Sequence, residues 1–221
     1  MLTLFTSGST DEPKQVTHSW NYIKECAYAS IKEIGLTNKD RVFNVFPSNT
    51  IAHYTITAYP AELVGAHLVT AAFNPYRYIK IFEDFKPTVI SLIPKHLEIL
   101  QQTKEFKKLD MSSVRYMVTG SNKIEQTFID AFLDKGVKTV ANWYGMTEAP
   151  PPLFIGYNTE EFDLSTIDTS RHHIMFIPAG WSGLQECYVN GKATGDLFST
   201  DPIKFVKRSK NPNGRTWKNN I

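Results

Sequence analysis

The sequence predicts an α/β fold, a parallel sheet flanked by helices, with a smaller β-rich C-terminal lobe behind it. Three observations carry this expectation. Short apolar runs recur near residues 42, 68, 89, 115 and 139 with a helical stretch in each gap, the spacing that right-handed βαβ crossovers produce. Beyond Pro150-Pro151-Pro152 the helical periodicity fades, and glycine-punctuated, β-prone runs replace it. Polar, glycine-bearing segments at Gly120-Ser121 and Tyr144 to Glu148 lie directly after strands, at the edge where parallel sheets gather ligands.

Taken in order, the chain opens on Leu4-Phe5-Thr6-Ser7-Gly8-Ser9-Thr10-Asp11-Glu12-Pro13-Lys14-Gln15-Val16. Small hydroxyl residues and a glycine between two apolar runs can turn N–H groups and hydroxyls inward to hold an anion. A P-loop is excluded, because Pro13 stands where the second glycine belongs and Gln15 follows the lysine. The segment from Lys14 to His18 continues as extended chain, so the expectation is strand, loop, strand; the plain alternative is a hairpin turn with no ligand. Ser19 to Ile34 reads as a helix capped by Ser19 and ended by Gly35, with Ile23, Cys26, Ala27, Ile31 and Ile34 on one face. Arg41 to Phe46 is a strand stopped by Pro47, and Tyr54 to Val64 is helical with Pro60 bending or dividing it. His67 to Ala72 is apolar, Tyr76 to Phe85 helical, and Thr88 to Ile93 a buried strand. Lys95 to Gln102 and Ile124 to Leu133 are helical, while Val114 to Val118 and Lys138 to Ala141 are strands. In the last third, His173 to Ile177, Gln185 to Val189 and Gly195 to Phe198 read as strands, with Gly180, Gly183, Gly191 and Gly195 between or within them.

Composition bounds the function classes. At 221 residues with 42% hydrophobic content the chain can bury a core, and a net charge of +2 gives no general polyanion-binding surface. The charge is uneven: no acidic residue follows Asp201, whereas Lys204, Lys207, Arg208, Lys210, Arg215 and Lys218 do. A nucleic-acid partner for that basic tail is the least supported expectation, against a solvated end. Cys26 and Cys187 have no metal-ligand spacing and read as buried thiols of a reducing, cytoplasmic setting. No apolar run approaches the roughly 20 residues of a membrane span, and the first residues lack a signal-peptide pattern, so no membrane partner is expected.

Two further motifs complete a constellation. Asn142-Trp143-Tyr144-Gly145-Met146-Thr147-Glu148 ends a strand with an aromatic, a glycine, a hydroxyl and a carboxylate, able to stack a base, bond a phosphate and hold Mg²⁺. Thr194-Gly195-Asp196 places an aspartate where it can accept sugar hydroxyls. Each alone is compatible with a surface turn. In this order, with Thr6 to Thr10 and Pro13-Lys14, the three resemble the adenylate-forming superfamily of acyl-CoA synthetases, peptide-synthetase adenylation domains and firefly-type luciferases. Connecting segments join the likeness: Arg41 to Pro47 with His53, Ile93-Pro94, and Ser113-Val114-Arg115-Tyr116 leading to Gly120.

The resemblance implies that a carboxylate attacks the α-phosphate of ATP, giving acyl-AMP and pyrophosphate, before an acceptor takes the acyl group. It implies catalytic roles for Lys14, Thr147 and Glu148, with Glu148 also the Mg²⁺ ligand. It implies ATP/AMP contacts at Thr6, Ser7, Gly8, Ser9, Thr10, Gly120, Tyr144, Gly145, Met146, Asp196 and Arg208, with Tyr144 flanking adenine and Asp196 holding the ribose. His53 matches a position beside the acyl pocket, the plain alternative being a structural histidine. His18 and the pair His172-His173 carry no assigned role. The implied partners are the nucleotide and a small carboxylic acid, aryl or short acyl, with a homodimer or a partner chain as further options. The expected division is 1–152, an α/β nucleotide- and acyl-binding core, and 153–221, a small β-rich lobe with the basic tail. Three features depart from the family pattern: Asp11 and Gln15 replace glycines, the stretch from Glu148 to Asp196 is short, and no residue matches the lysine of the family's C-terminal domain, for which Lys210, Arg215 and Lys218 are candidate substitutes. The alternative reading is a non-catalytic nucleotide-binding module, or a half-enzyme completed by another chain.

Overall fold

The computed structural model describes residues 1–6, 14–179 and 183–208; of Thr6 only the backbone is described. Ser7, Gly8, Ser9, Thr10, Asp11, Glu12 and Pro13, expected to hold phosphate, together with Gly180, Lys210, Arg215 and Lys218, lie outside the described residues. The flanks of residues 7–13 form an antiparallel hairpin, β1 (Leu2–Thr6) with β2 (Lys14–His18), in register from Leu2 opposite His18 to Thr6 opposite Lys14.

The main sheet has six strands in the order β4-β3-β5-β6-β7-β8: β3 (Arg41–Asn44), β4 (His67–Thr70), β5 (Val89–Ser91), β6 (Tyr116–Gly120), β7 (Val140–Tyr144) and β8 (Phe154–Tyr157). All neighbours run parallel except β8, which pairs antiparallel with β7. Period-2 alternation sends neighbouring residues to opposite faces. Phe43, Ile90, Met117 and Val140 enter one core, with Ile79 and Phe82 of α4 (Pro75–Phe85), Leu97 and Leu100 of α5 (Pro94–Gln101), Phe106 of α6 (Lys104–Lys108) and Phe132 of α7 (Gln126–Leu133). Val42, Val89, Val118, Ala141 and Trp143 enter the other, with Ile34 of α1 (Trp20–Ile34) and Ala61 of α3 (Ala58–Val64). Helices therefore cover both faces, as the sequence predicts.

Behind this core a four-stranded antiparallel sheet runs β12-β11-β10-β9, from β9 (Ile174–Pro178), β10 (Gln185–Val189), β11 (Lys192–Phe198) and β12 (Phe205–Arg208). An aromatic cluster welds it to the main sheet. Phe154 of β8 stacks on Tyr144 at 4.5 Å, and Phe198 of β11 meets both rings edge-on. Such pairs each add about 0.5–1.5 kcal/mol beyond the area they bury.

Local chemistry moves several boundaries from their expected places. Ser19 caps α1 through a bond from Tyr22 N, and Gly35 ends it at φ 60°, as expected. The break in the next helical segment falls after α2 (Ile51–Thr55), before Ala58; Pro60 is tolerated in the first turn of α3, where its missing N–H is not needed. The helix α6 was not anticipated; Thr103 starts it by accepting a bond from Phe106 N. Strand β3 stops at Asn44 because the buried Asn44 amide bonds both Phe46 N and Phe46 O, turning the chain. β6 and β7 run further than expected, so that Gly120 and Tyr144 are the last residues of their strands. β8 follows the triple proline and pairs with β7.

One ion pair, built on a buried carboxylate, ties the amino ends of the strands together. Arg115, just before β6, reaches Asp40, just before β3, with Nε to Oδ1 and Nη2 to Oδ2, both 2.8 Å. The same guanidinium donates to the carbonyls of Ile34 and Gly35 at the end of α1. Thr37 N and the Thr88 hydroxyl donate to the other positions of Asp40. Burial alone raises the Asp40 pKa, but the bonds from Arg115, Thr37 and Thr88, together with the Arg115 charge, bring it down to about 2.

Asp40→Asn is expected to lower unfolding stability in urea by about 1–3 kcal/mol, because the charge-assisted bonds from Arg115 are weakened and that side chain, 38% exposed, is partly screened by solvent. Since the folded pKa of Asp40 is depressed, its contribution is fully present above the unfolded value of about 4 and is lost as pH falls through about 2. Acid titration of stability checks this, and the variant is expected to lack that component.

Candidate functional site

The carboxyl end of β7 is where the sequence motifs meet. Gly120, ending the neighbouring β6, has no room for a Cβ, which would stand 2.3 Å from the Trp143 carbonyl oxygen. Gly145 is likewise obligatory, since a Cβ would press on Pro151 at 2.6 Å. Beyond Gly145 the chain closes a tight turn, with Met146 N donating to Ala149 O at 2.9 Å and Ala149 N to Met146 O at 3.2 Å. Half-buried Met146 anchors the turn in the aromatic cluster, and Thr147 and Glu148 form its tip.

The hairpin approaches this tip from one side. Lys14, Val16 and His18 share a strand face. Lys14 Nζ lies 3.2 Å from Glu148 Oε1, with the two side chains 64% and 41% exposed. His18 Nε2 lies 2.7 Å from the Thr147 carbonyl oxygen. A carbonyl only accepts, so Nε2 carries the hydrogen.

The second sheet approaches from the other side. Asp196 on β11 faces Arg208 on β12 in the ladder, and its carboxylate is only 2% exposed. Arg208 grips it two-pronged, Nε to Oδ1 at 2.6 Å and Nη2 to Oδ2 at 3.0 Å. Tyr144 donates its hydroxyl to Oδ2 at 2.7 Å. Burial foremost, then the Asp196 charge, pushes the Tyr144 hydroxyl well above its ordinary value, so it remains a donor. The bonds to Asp196 raise the Arg208 pKa against the effect of burial, and the charge of Glu148 acts in the same direction. The Tyr144 ring is itself a core member with one face covered by Phe154, so the expected adenine neighbour is a largely buried ring. Buried Asn142, two residues earlier on β7, lines a small cavity with Asn122, Glu160 and Lys204.

His53 stands apart. It sits on α2, its Nδ1 lies 3.1 Å from Phe46 O and 3.3 Å from Asn44 Nδ2, and β3 is separated from β7 by β5 and β6. His18 and His172, which the sequence leaves without a role, each make a hydrogen bond to a distant segment. His172 is buried and joins α1 to the second sheet: the Asn190 amide, oriented by its bond from His173 N, donates to Nδ1, which leaves Nε2–H to donate to Tyr22 at 3.1 Å. Burial, then the Arg171 charge, lowers its pKa and keeps it neutral. For His18 a signal was available in its i, i+4 spacing from Lys14 on one strand face. Nothing of that kind marks His172. Both cysteines are buried, and burial first, with the Asp196 charge next, lifts the Cys187 thiol to about 12.

The family model for AMP-binding enzymes matches residues 1–180. The chain belongs to that family, within the adenylate-forming superfamily. Asp196 and Arg208 lie beyond the matched residues. Among curated relatives the chain is 26% identical over 160 residues to a feruloyl-CoA synthase of Amycolatopsis sp, covering 70% of this chain and 31% of that protein. It is 24% identical over 147 residues to the long-chain-fatty-acid–CoA ligase FadD13 of Mycobacterium tuberculosis, covering 66% and 29%. The chain thus spans under a third of the length of these relatives. Its fold is that of o-succinylbenzoate CoA synthetase from Bacillus subtilis in complex with ATP and magnesium, with TM-score 0.75 at 19% identity over 93% of this chain and 49% of that one. The N-terminal domain of FACL13 from M. tuberculosis is similar to the same degree, with TM-score 0.75 at 18% identity over 93% and 60%. No helix among the described residues is long and apolar enough to cross a membrane.

Tyr144→Phe is expected to cost about 1–3 kcal/mol of stability, because a buried carboxylate loses one donor while ring packing is kept. Urea denaturation of the variant measures it.

Proposed function

We propose that this adenylate-forming chain binds ATP with Mg²⁺ and activates a carboxylic acid, as part of an acid–CoA ligase. The observation that carries the reading is the convergence of Lys14, Thr147, Glu148, Asp196 and Arg208 around the end of β7. A carboxylate oxygen of the acid attacks the α-phosphorus, the bond to the bridging oxygen breaks, and pyrophosphate leaves. Lys14, beside the loop from Ser7 to Pro13, supplies positive charge to the departing pyrophosphate, and the Thr147 hydroxyl bonds a phosphate oxygen. Gly120, Gly145 and Met146 shape the floor under the nucleotide, while for His53, away from the end of β7, the acyl-side role rests on the family resemblance alone.

Asp196 is the candidate for the ribose hydroxyls. A carboxylate accepts about four bonds. Arg208 and Tyr144 make three of them. The Arg208 side chain is 60% exposed and is the partner able to swing away, while Tyr144 keeps the carboxylate aimed. For the metal, Glu148 offers one exposed carboxylate, and no cluster of three or more His, Cys, Asp or Glu exists among the described residues. That donor set fits Mg²⁺, which keeps its waters and is held by one or two carboxylates together with phosphates. When bound, the ion neutralises charge on phosphate oxygens.

Calorimetry with ATP and Mg²⁺ is expected to show binding, and a panel of aryl and short acyl acids to support ATP–pyrophosphate exchange. Glu148→Ala is expected to lower that exchange at least about 100-fold. A folded chain giving no heat with ATP or AMP overturns the reading. Binding without exchange would leave a nucleotide-binding module that needs further polypeptide for turnover.

A further inference from the structure

We infer that His18 is a positioning residue that sets the Thr147–Glu148 tip against the hairpin; its functional meaning rests on the nucleotide-binding role proposed above. The tip closes on itself through Met146 and Ala149, but the Thr147 carbonyl points outward, and its donor, His18 Nε2–H at 2.7 Å, comes from β2. The His18 backbone is fixed on both sides: it pairs with Leu2 in the hairpin, and Ser19, immediately after it, caps α1. The imidazole packs at 5.3 Å from the Tyr22 ring, and the Tyr22 hydroxyl is in turn held by His172. One strand thus grips the tip twice, at Glu148 through Lys14 and at the Thr147 backbone through His18.

The two grips differ in kind. Lys14 to Glu148 is an exposed ion pair that salt screens and that must open if Glu148 is to meet a metal. The His18 bond uses a backbone carbonyl, leaves both the Thr147 hydroxyl and the Glu148 carboxylate available, and persists while the ion pair opens. His18 therefore keeps the spacing between the loop-bearing hairpin and the tip constant as the charged groups change partners.

The test compares His18→Leu, which removes the donor, with His18→Gln, which restores an N–H at similar reach. Thermal melting establishes that each is folded. Three readouts follow: the carbonyl ¹³C resonance of labelled Thr147, amide hydrogen exchange over residues 145–149, and calorimetric affinity for ATP with Mg²⁺. His18→Leu is expected to shift the Thr147 carbonyl resonance, to speed exchange of the tip amides, and to weaken ATP affinity about tenfold, the size of one lost hydrogen bond. His18→Gln is expected to recover all three in large part. Unchanged carbonyl shift and exchange in His18→Leu would overturn the inference, as would a Gln variant no better than the Leu variant. If the wild-type protein binds no ATP, the functional proposal fails by itself, and the carbonyl and exchange data still decide whether His18 holds the tip.

Discussion

The Asp40–Arg115 pair is the constraint on which the core depends. Asp40 precedes β3 and Arg115 precedes β6, and between those strands in the sheet lies β5, whose leading Thr88 hydroxyl bonds the same carboxylate. The Arg115 guanidinium also takes two carbonyls from the end of α1, groups that a helix terminus otherwise leaves unpaired. A single buried carboxylate and its arginine thereby set the register of the strand starts and the docking of the first helix. With the amino ends pinned, the carboxyl ends of β6 and β7 are free to carry glycines and polar residues without loosening the sheet.

At that opposite edge the tie between the two sheets is again a carboxylate, Asp196, with Tyr144 and Arg208 as its partners. The Tyr144 ring belongs to the aromatic cluster shared by β8 and β11, while its hydroxyl belongs to the site. One residue thus couples packing to chemistry. The geometry also explains why Gly145 follows it: the chain must leave β7 pressed against Pro151, and no side chain fits there.

Much of this was legible in the sequence. The repeating apolar runs gave the strands and helices of the main sheet because period-2 and period-3.6 burial are written directly into residue type. Gly120-Ser121 and Tyr144 to Glu148 read as lying at the carboxyl edge of the sheet, and there Lys14 lies against Glu148. What stayed hidden depends on contacts between distant segments. The ends of β6 and β7 read short because Thr119 and Asn142 look like loop residues, although both are buried in the last rungs of the sheet. α6 escaped notice because its five residues, Lys104 to Lys108, give too little periodicity, and its start is fixed by one hydroxyl. His18 and His172 looked like isolated histidines, since their partners lie 129 and 150 residues away along the chain.

The charges around the tip have a common logic under the proposed function. Lys14 lies against Glu148, and Arg208 against Asp196, so the site's own cations and anions are matched within the protein. A nucleotide phosphate with its metal brings one strong anion and one strong cation, and each can take over one member of the Lys14–Glu148 pair. An exposed pair of this kind contributes at most about 1 kcal/mol, so opening it costs little compared with the charge-assisted contacts that replace it. The Asp196–Arg208 pair is different, since its carboxylate is buried and Tyr144 stays attached to it. Rearrangement is therefore cheap at the tip of the β7 turn and restrained at the second sheet.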